Sequence, residues 1–154
     1  MDVIQPLNLP KTNLNLTRNG NSLFVQCLIR KKKILLTPEE WVRQHYIAYL
    51  HITLGYKIER ISVEKSLNYF GMNKRWDIVV YSKDYTPEIL IECKATSISL
   101  NEKVLEQALI YQNKLGCKYI AITNGIAHAY WFVNQQKKEI QRIESLPNYK
   151  NESD

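Results

Sequence analysis

The sequence is poor in cysteine and contains no long apolar run. Its three cysteines, Cys27, Cys93 and Cys117, lie singly in apolar surroundings, so we expect free, reduced thiols instead of a disulfide framework or a zinc site. No opening stretch combines a basic start with the apolar run of a signal peptide, and no segment approaches the roughly 20 apolar residues that span a bilayer. These absences predict a cytoplasmic protein.

Histidine-based metal sites are also not indicated. His45, His51 and His128 are scattered, and no cysteine, histidine or acid accompanies them at metal-ligand spacing. We therefore expect roles in packing or at the surface. With 154 residues, of which 45% are hydrophobic, the chain is long enough for one well-buried core and too short for two ordinary domains.

Positive charge is concentrated near the N-terminus. The chain has 21 Lys and Arg against 15 Asp and Glu, a formal net charge of +6. Up to Pro38, Asp2 alone opposes six basic residues: Lys11, Arg18, Arg30, Lys31, Lys32 and Lys33. A basic end suits a polyanion such as nucleic acid, because neutralising phosphates releases counterions; the alternative is a solvated face that aids solubility. The run of Arg30 to Lys33 is the candidate DNA-binding segment.

Turn and cap residues divide the chain into an arm, a core and a tail. Residues 1–35 contain the pair Asn19-Gly20, which accepts the positive φ angles of a type I′ turn, and predict an N-terminal β-hairpin arm within the same domain. Residues 36–134 form the predicted core. Residues 135–154 form a polar C-terminal tail, whose last residues we expect to be mobile.

The core begins with a predicted helix. Thr37 can cap its N-terminus, Pro38 suits the first helical position, and Glu40 falls three residues after the cap, as a capping box requires. Gly55 is placed to end the helix.

Strands and a second helix follow. Three segments rich in β-branched residues predict strands: "RISVEKSL", "RWDIVVYS" and "EILIECKA". The segment "LNEKVLEQALIYQNKLG" has apolar residues at helical spacing and stops at Gly116, and "KYIAIT" and "AHAYWFV" predict two final strands. The predicted fold is therefore α/β with the order α-β-β-β-α-β-β.

Two carboxylates occupy strand positions where apolar residues are expected. Side chains alternate across a strand, so Glu92 and Lys94 share one face. A hairpin centred between Asp84 and Tyr85 puts Asp77 opposite Glu92, with Cβ atoms about 5 Å apart. Two like charges this close destabilise a partly buried sheet unless a cation lies between them.

Two cations can meet that need, and the residues alone leave both interpretations open. Lys94 can neutralise the pair as a structural ion network. Alternatively, both carboxylates hold a divalent metal, since they offer the hard oxygen ligands that Mg²⁺ prefers and leave positions for water. In that case Lys94 contacts a phosphate or helps to position and activate an attacking water.

The order of elements and residues resembles the core of the PD-(D/E)xK nuclease superfamily. Within it, the chain looks like the N-terminal nuclease domain of type I restriction enzyme R subunits. The likeness covers most of residues 36–133 and rests on these stretches, in order: "LTPEEWVRQHY", "RWDIVVY", "LIECKA", "EQALIY" and "ITNG". It implies a restriction-endonuclease-like core, with a central mixed sheet flanked by helices, and a Mg²⁺-dependent DNA endonuclease in which Mn²⁺ can substitute.

The resemblance also implies roles for individual residues. Asp77 and Glu92 would bind Mg²⁺, Lys94 would assist hydrolysis of a phosphodiester, and Cys93 would add its backbone carbonyl to the metal shell. In this sequence Trp76 stands before Asp77, where the superfamily pattern has proline.

Residues on both helices are further candidates. The family's QxxxY motif falls on Gln107 and Tyr111, which lie on one side of a helix at i and i+4. Gln107 can reach the site, whereas the alternative makes it a surface residue and Tyr111 a core residue. Many such nucleases carry another acid on the first helix, so Glu40 is a possible additional ligand, although the capping box also explains it; Glu39 is its competitor.

The same resemblance bears on partners. A type I R subunit also contains an ATP-driven motor, but the sequence has no G-x-x-x-x-G-K-[ST] phosphate loop. We therefore expect DNA as the main partner and a separate motor, or other restriction or repair subunits, as further ones; a homodimer is also considered. The alternative function is a catalytically inactive DNA-binding or assembly module on the same fold.

Overall fold

A computed structural model describes residues 3–69 and 72–150, and includes their side chains except those of residues 64–69 and 72–75. An N-terminal antiparallel sheet contains β1 (Leu16–Asn19), β2 (Ser22–Gln26) and β3 (Lys33–Leu35). A six-stranded sheet contains β4 (Ile61–Tyr69), β5 (Met72–Tyr81), β6 (Pro87–Cys93), β7 (Tyr119–Thr123), β8 (His128–Asn134) and β9 (Glu139–Ile143). The two α-helices are α1 (Pro38–Ala48) and α2 (Glu102–Leu115).

The large sheet is mixed. Its strands lie in the order β4-β5-β6-β7-β8-β9, with β6 and β7 parallel and all other neighbours antiparallel. Helix α2 supplies the crossover that a parallel pair requires. From α1 to β8 the elements follow the predicted order. The strand β9 was not predicted, because four of its five residues are exposed and its sequence reads as part of a polar tail.

The N-terminal arm is larger than predicted. β3 pairs with β2 and extends the expected hairpin to three strands. Asn19 pairs with Ser22, so the turn residues are Gly20 and Asn21 instead of Asn19 and Gly20. Gly20 adopts a φ of 63°, which a residue without a Cβ atom takes at no steric cost.

The helix ends follow their cap residues, with one exception. Thr37 Oγ1 accepts a hydrogen bond from Glu40 N at 3.0 Å, with Pro38 in the first turn. Gly116 ends α2 with a φ of 75°. The exception is the last turn of the first helical segment: the α-helix α1 ends at Ala48, and a π-helical turn over Tyr49–Thr53 follows it. Gly55, with a φ of 87°, comes directly after Leu54, the cap of this turn. Gly55 therefore stands at the predicted end of the helical segment, although the turn before it is not α-helical.

The sheet is covered by a helix on each face. On one face, α1 contributes Val42, Tyr46 and Ile47 to a cluster with Ile78 and Ile91 of the sheet. On the other face, the residues in contact are Val104, Ala108 and Tyr111 of α2 and Val79, Leu90, Ile120 and Ile122 of the strands. Burying each such aliphatic side chain contributes about 1.5–3 kcal/mol, so the two faces together form the core.

The described part of the C-terminal segment is attached to this core. Leu146 is buried in the α1-side cluster, and Tyr149 N donates to Leu54 O at 2.8 Å. The expectation of a mobile end therefore does not apply to Tyr149, and residues 151–154 lie outside the described residues.

The structure bears on two predictions, that the cysteines are free and that no segment is long and apolar enough to span a bilayer. All three cysteines are buried and free, as expected from their isolated positions. Within residues 3–69 and 72–150, no helix has the length and apolar character needed to cross a membrane.

Candidate metal and phosphodiester site

The strand pairing has the predicted register next to Asp77 and Glu92, but the hairpin is irregular nearer its turn. β5 and β6 pair with Ile78 opposite Ile91 and Val79 opposite Leu90, and Asp77 and Glu92 are the next residues after these pairs. The predicted centre of the hairpin between Asp84 and Tyr85 was wrong, because an irregularity between Val80 and Tyr81 places Tyr81 opposite Pro87. Asp77 Oδ2 accepts a hydrogen bond from the backbone N–H of Cys93 at 2.7 Å. Both acidic residues are buried, with 8% of Asp77 and 3% of Glu92 exposed.

The Glu92 carboxyl group is short of donors. Its Oε1 lies 3.6 Å from Lys94 Nζ, and Oε2 is buried and accepts no hydrogen bond from a donor group among the described residues. The Asp77 carboxyl group is within hydrogen-bonding reach, a contact that requires a shared proton. Burial, followed by the nearby Asp77 carboxylate, raises the pKa of Glu92 well above its usual value of 4.5, and Lys94 offsets this only in part. The ionised form would be favoured by a further cation beside Glu92 and Asp77.

Helix α2 holds Lys94 through its QxxxY residues. Lys94 Nζ donates to Gln107 Oε1 at 3.2 Å, and Gln107 Nε2 donates to Tyr111 OH at 3.4 Å. Tyr111 is 1% exposed, so it belongs to the core and also anchors the amide. The structure thus places Gln107 next to Lys94, in agreement with the position expected from the helical spacing.

Helix α1 adds a cation that the sequence analysis missed. Arg43 Nη2 donates to Asp77 Oδ1 at 2.7 Å and to Glu39 Oε2 at 2.8 Å, and Nη1 is paired with Glu40 Oε1. Only 4% of Arg43 is exposed. Burial by itself lowers the pKa of Arg43, but the Asp77 and Glu40 carboxylates outweigh burial and raise it.

The Arg43 contacts correct the interpretation of Glu40. The Thr37 cap is present, but the Glu40 carboxylate is engaged elsewhere: Oε1 pairs with Arg43 and Oε2 accepts from Gln44 Nε2 at 2.9 Å. Gln44 Oε1 in turn accepts from Leu28 N at 3.0 Å. Glu40 therefore supports the guanidinium, and the capping box does not explain its side chain.

Glu39 lies closer to solvent at the edge of this network. Its side chain is 42% exposed. Burial and then the charge of Asp77 raise the pKa of Glu39, and Arg43 and Lys94 lower it. The spacing Glu39-Glu40-x-x-Arg43 was the available sequence signal, because residues three and four apart on a helix are neighbours.

The predicted DNA-binding run lies beside the strand that precedes Asp77. Arg30, Lys31 and Lys32 form the turn before β3, Lys33 begins β3, and all four are exposed. Arg30 Nη2 reaches Val63 O at 3.5 Å. Val63 pairs with Ile78 of β5, the residue after Asp77, so the Arg30 side chain contacts the strand next to the one that carries Asp77.

The donor set fits a Mg²⁺ ion bound by few protein ligands. No group of three or more His, Cys, Asp or Glu side chains suited to a metal occurs in the described parts of the chain. Mg²⁺, however, is usually held by one or two carboxylates together with waters and substrate phosphates. Asp77 and Glu92 provide two, and an ion between them would replace their shared proton and bind Glu92 Oε2, which accepts from no donor in the part of the chain that the structure describes.

In comparisons with known proteins, the chain matches a family model and is similar in fold to a solved structure. The model of the family described as "Type I restriction enzyme R protein N terminus (HSDR_N)" matches residues 38–147. A solved fragment assigned to the HsdR subunit of a type I restriction enzyme from Vibrio vulnificus YJ016 is similar, with a TM-score of 0.52 and 20% sequence identity. The match covers 71% of this chain and 23% of that one. No curated protein matches the chain.

Proposed function

Because the chain belongs to the type I restriction enzyme R protein N-terminus family, we propose that it is a Mg²⁺-dependent nuclease domain that hydrolyses phosphodiester bonds in DNA. The observation that carries the proposal is the convergence of Asp77 and Glu92 on neighbouring strands, with the Lys94 ammonium 3.6 Å from Glu92. A restriction-endonuclease-like core over residues 36–134, with an arm at 1–35 and a tail at 135–154, is part of the same proposal.

Two carboxylates and one carbonyl would hold the ion. Asp77 and Glu92 would bind it through their side chains, and Cys93 through its backbone carbonyl. A bound Mg²⁺, or Mn²⁺ in its place, would lower the pKa of a coordinated water and shield charge on the phosphate. Both carboxylates are buried, so their attraction to a bound ion would be stronger than in water, because electrostatic interactions are stronger where water is excluded.

Lys94 would contact the scissile phosphate. An ammonium has three donors; one is used by Gln107, so donor capacity is left for a phosphate oxygen. The Lys94 side chain is 23% exposed, and substrate can therefore reach it. Gln107 would hold the ammonium in place, with Tyr111 behind it, while charge develops on the phosphate.

DNA would approach across the basic turn. Arg30, Lys31, Lys32 and Lys33 are exposed and could neutralise phosphates next to the cleavage point. The matched Vibrio vulnificus fragment is more than four times the length covered here, since the match spans 23% of it. We accordingly propose other restriction subunits, a separate motor or a second copy of the chain as partners.

Cleavage of supercoiled plasmid tests the proposal. We expect nicking or linearisation with Mg²⁺ or Mn²⁺, none with EDTA, and a loss of at least about 100-fold in Lys94→Ala, the lower range for a positioned catalytic group. Lys114→Ala is the matched control, because Lys114 is an exposed lysine on α2. Cleavage that persists unchanged in Lys94→Ala would contradict the proposed role.

A catalytically inactive DNA-binding or assembly module is the second candidate. It is favoured by the bond between Arg43 and Asp77 at 2.7 Å, since a guanidinium could satisfy the carboxylate permanently in place of a metal. This module would bind DNA in a salt-sensitive, metal-independent manner and would not cut it under any of the conditions above.

A further inference from the structure

The Asp77 carboxylate is fixed from two sides. Its Oδ1 accepts from Arg43 Nη2 and its Oδ2 from the Cys93 N–H, each at 2.7 Å. Two bonds to different oxygens define the plane of the carboxylate. A carboxylate offers about four lone-pair positions, so both oxygens keep capacity for a further ligand.

Arg43 is itself held rigidly. Besides Asp77 it contacts Glu39 and Glu40, and Glu40 is in turn bound by Gln44. The guanidinium is planar and presents its donors in a fixed fork. A buried fork with three carboxylate partners has little freedom to turn away, so its orientation is passed to Asp77.

The charges around Arg43 are also compatible with a nearby cation. Glu39 and Glu40 carry two formal negative charges against the single positive charge of Arg43. The cluster that supports Asp77 is therefore not a net positive neighbour for an incoming ion. Partners of this kind, which orient a metal ligand without touching the metal, typically contribute 10–100-fold to metal affinity.

We propose that Arg43 is a positioning residue that orients Asp77 for divalent-ion binding. This inference rests on the proposed function, because it assigns Arg43 a role toward the ion that Asp77 and Glu92 would hold. Arg43 acts through Asp77 and contacts neither the ion nor the substrate. Its guanidinium geometry matters as well as its charge, since a single ammonium does not reproduce the fork that joins Asp77, Glu39 and Glu40.

Calorimetric titration of the full chain with Mn²⁺ tests this role. The wild type is expected to show a defined binding event that Asp77→Ala loses. Arg43→Met should weaken that event by about 10–100-fold, and Arg43→Lys should weaken it similarly. Arg142→Met is the control, because it removes one arginine charge from β9, where Arg142 stacks on Trp131; its affinity should equal that of the wild type.

A second readout separates positioning from loss of fold. Circular dichroism checks that each variant is folded; if Arg43→Met is not, Arg43→Lys decides. Plasmid cleavage by a folded Arg43 variant should need about 10–100-fold more Mn²⁺ to reach half its maximal rate, but the rate should recover when Mn²⁺ is saturating.

The possible failures are distinguishable. Mn²⁺ binding in the folded Arg43 variants that is as tight as in the wild type, or tighter, overturns the inference about Arg43 and leaves the proposed site intact. Tighter binding would show that Arg43 competes with the ion. If wild type and Asp77→Ala bind equally weakly, the proposed metal site fails, and the role of Arg43 fails with it.

Discussion

Helices α1 and α2 both hold a residue of the candidate site, but they do so with different chemistry. On α1, a buried guanidinium binds Asp77 at 2.7 Å within a network of charged groups. On α2, the neutral amide of Gln107 binds Lys94 at 3.2 Å and rests on Tyr111 at 3.4 Å. Both hydrogen bonds involve an ionised group, but Asp77 is bound by a group of opposite charge at 2.7 Å, whereas Lys94 is bound by a neutral acceptor at 3.2 Å. Because paired charges add Coulomb attraction to the hydrogen bond, we expect Asp77 to be held more firmly than Lys94.

This difference matches the two tasks that we propose. A metal ligand must keep one direction, and a buried ion network provides that. A lysine whose ammonium must adjust its position as a phosphate reacts benefits from a looser attachment at a partly exposed position. We therefore expect α1 to contribute more to stability and α2 more to reactivity.

The largest effect is expected from Arg43→Met in metal-free protein. Removing one partner from a buried ion network leaves uncompensated charge and typically costs about 3–5 kcal/mol. Urea denaturation should show that loss in the free energy of unfolding. Arg142→Met, which gives up a stacking contact with Trp131, should lose about 1 kcal/mol or less. Equal losses in the two variants would contradict a special role for the α1 network.

The second prediction concerns Glu92, on strand β6. The raised pKa of Glu92 means that its folded form binds a proton more tightly than the unfolded chain does. Protonated Glu92 therefore contributes fully to stability below about pH 4.5, its ordinary pKa in the unfolded chain. This contribution is lost as the pH rises from there toward the higher pKa of the folded state. Metal-free Glu92→Gln should lack this loss, so its stability advantage over the wild type should grow from pH 5 to pH 8 in urea denaturation series.

Binding of Mn²⁺ provides a check on this pH dependence of stability. Saturating Mn²⁺ favours ionised Glu92 in the wild type and should shrink the advantage of Glu92→Gln at pH 8. A pH-independent difference between the two proteins would mean that Glu92 titrates normally in the folded chain.

A smaller effect on stability, with a clearer one on activity, is expected on α2. Gln107→Ala removes the hydrogen bond from the Lys94 ammonium and should cost about 1.5–3 kcal/mol, the usual range for hydrogen bonds to charged groups, while plasmid cleavage should fall about tenfold because Lys94 loses its partner. Gln112→Ala is the matched control, since Gln112 Nε2 donates to Cys117 O at 3.2 Å on the same helix. Equal cleavage by both variants would refute a role for Gln107.

The smallest effect is expected outside the site, in the basic turn. Lys31→Ala should weaken DNA binding modestly and uniformly across sequences, because the lysine would contact phosphate only. The slope of log affinity against log salt concentration should fall by roughly one. An unchanged slope in fluorescence anisotropy would show that Lys31 is part of a merely solvated face.

Much of the fold could be predicted from local patterns. Helix caps at Thr37 and Gly116 depend on residues adjacent in the chain, and β-branched runs marked the strands through β8. The segment that forms β9 could not be recognised, because its exposed residues show no apolar alternation. Its strand conformation is stabilised by pairing with β8, which is a tertiary contact.

The candidate site was predicted to a similar extent. The position of Asp77 and Glu92 on neighbouring strands was expected from the spacing along one hairpin, although its register shift between Val80 and Tyr81 was not, and Gln107 was expected to reach the site. Arg43 was missed because the spacing from Glu39 and Glu40 is also typical of an ordinary surface salt bridge. Burial makes the difference, and burial is not readable from the spacing of three charged residues.

The sequence by itself determined that two carboxylates lie on neighbouring strands and that Gln107 and Tyr111 share one side of a helix, because both follow from spacing along one hairpin and one helix. The register shift between Val80 and Tyr81 was decided only in the folded sheet. Only the tertiary structure decided what surrounds the carboxylates and Gln107. Arg43 and Asp77 are 34 positions apart, and they meet because α1 packs its apolar face on the sheet. That packing turns an exposed ion pair into a buried support for the site.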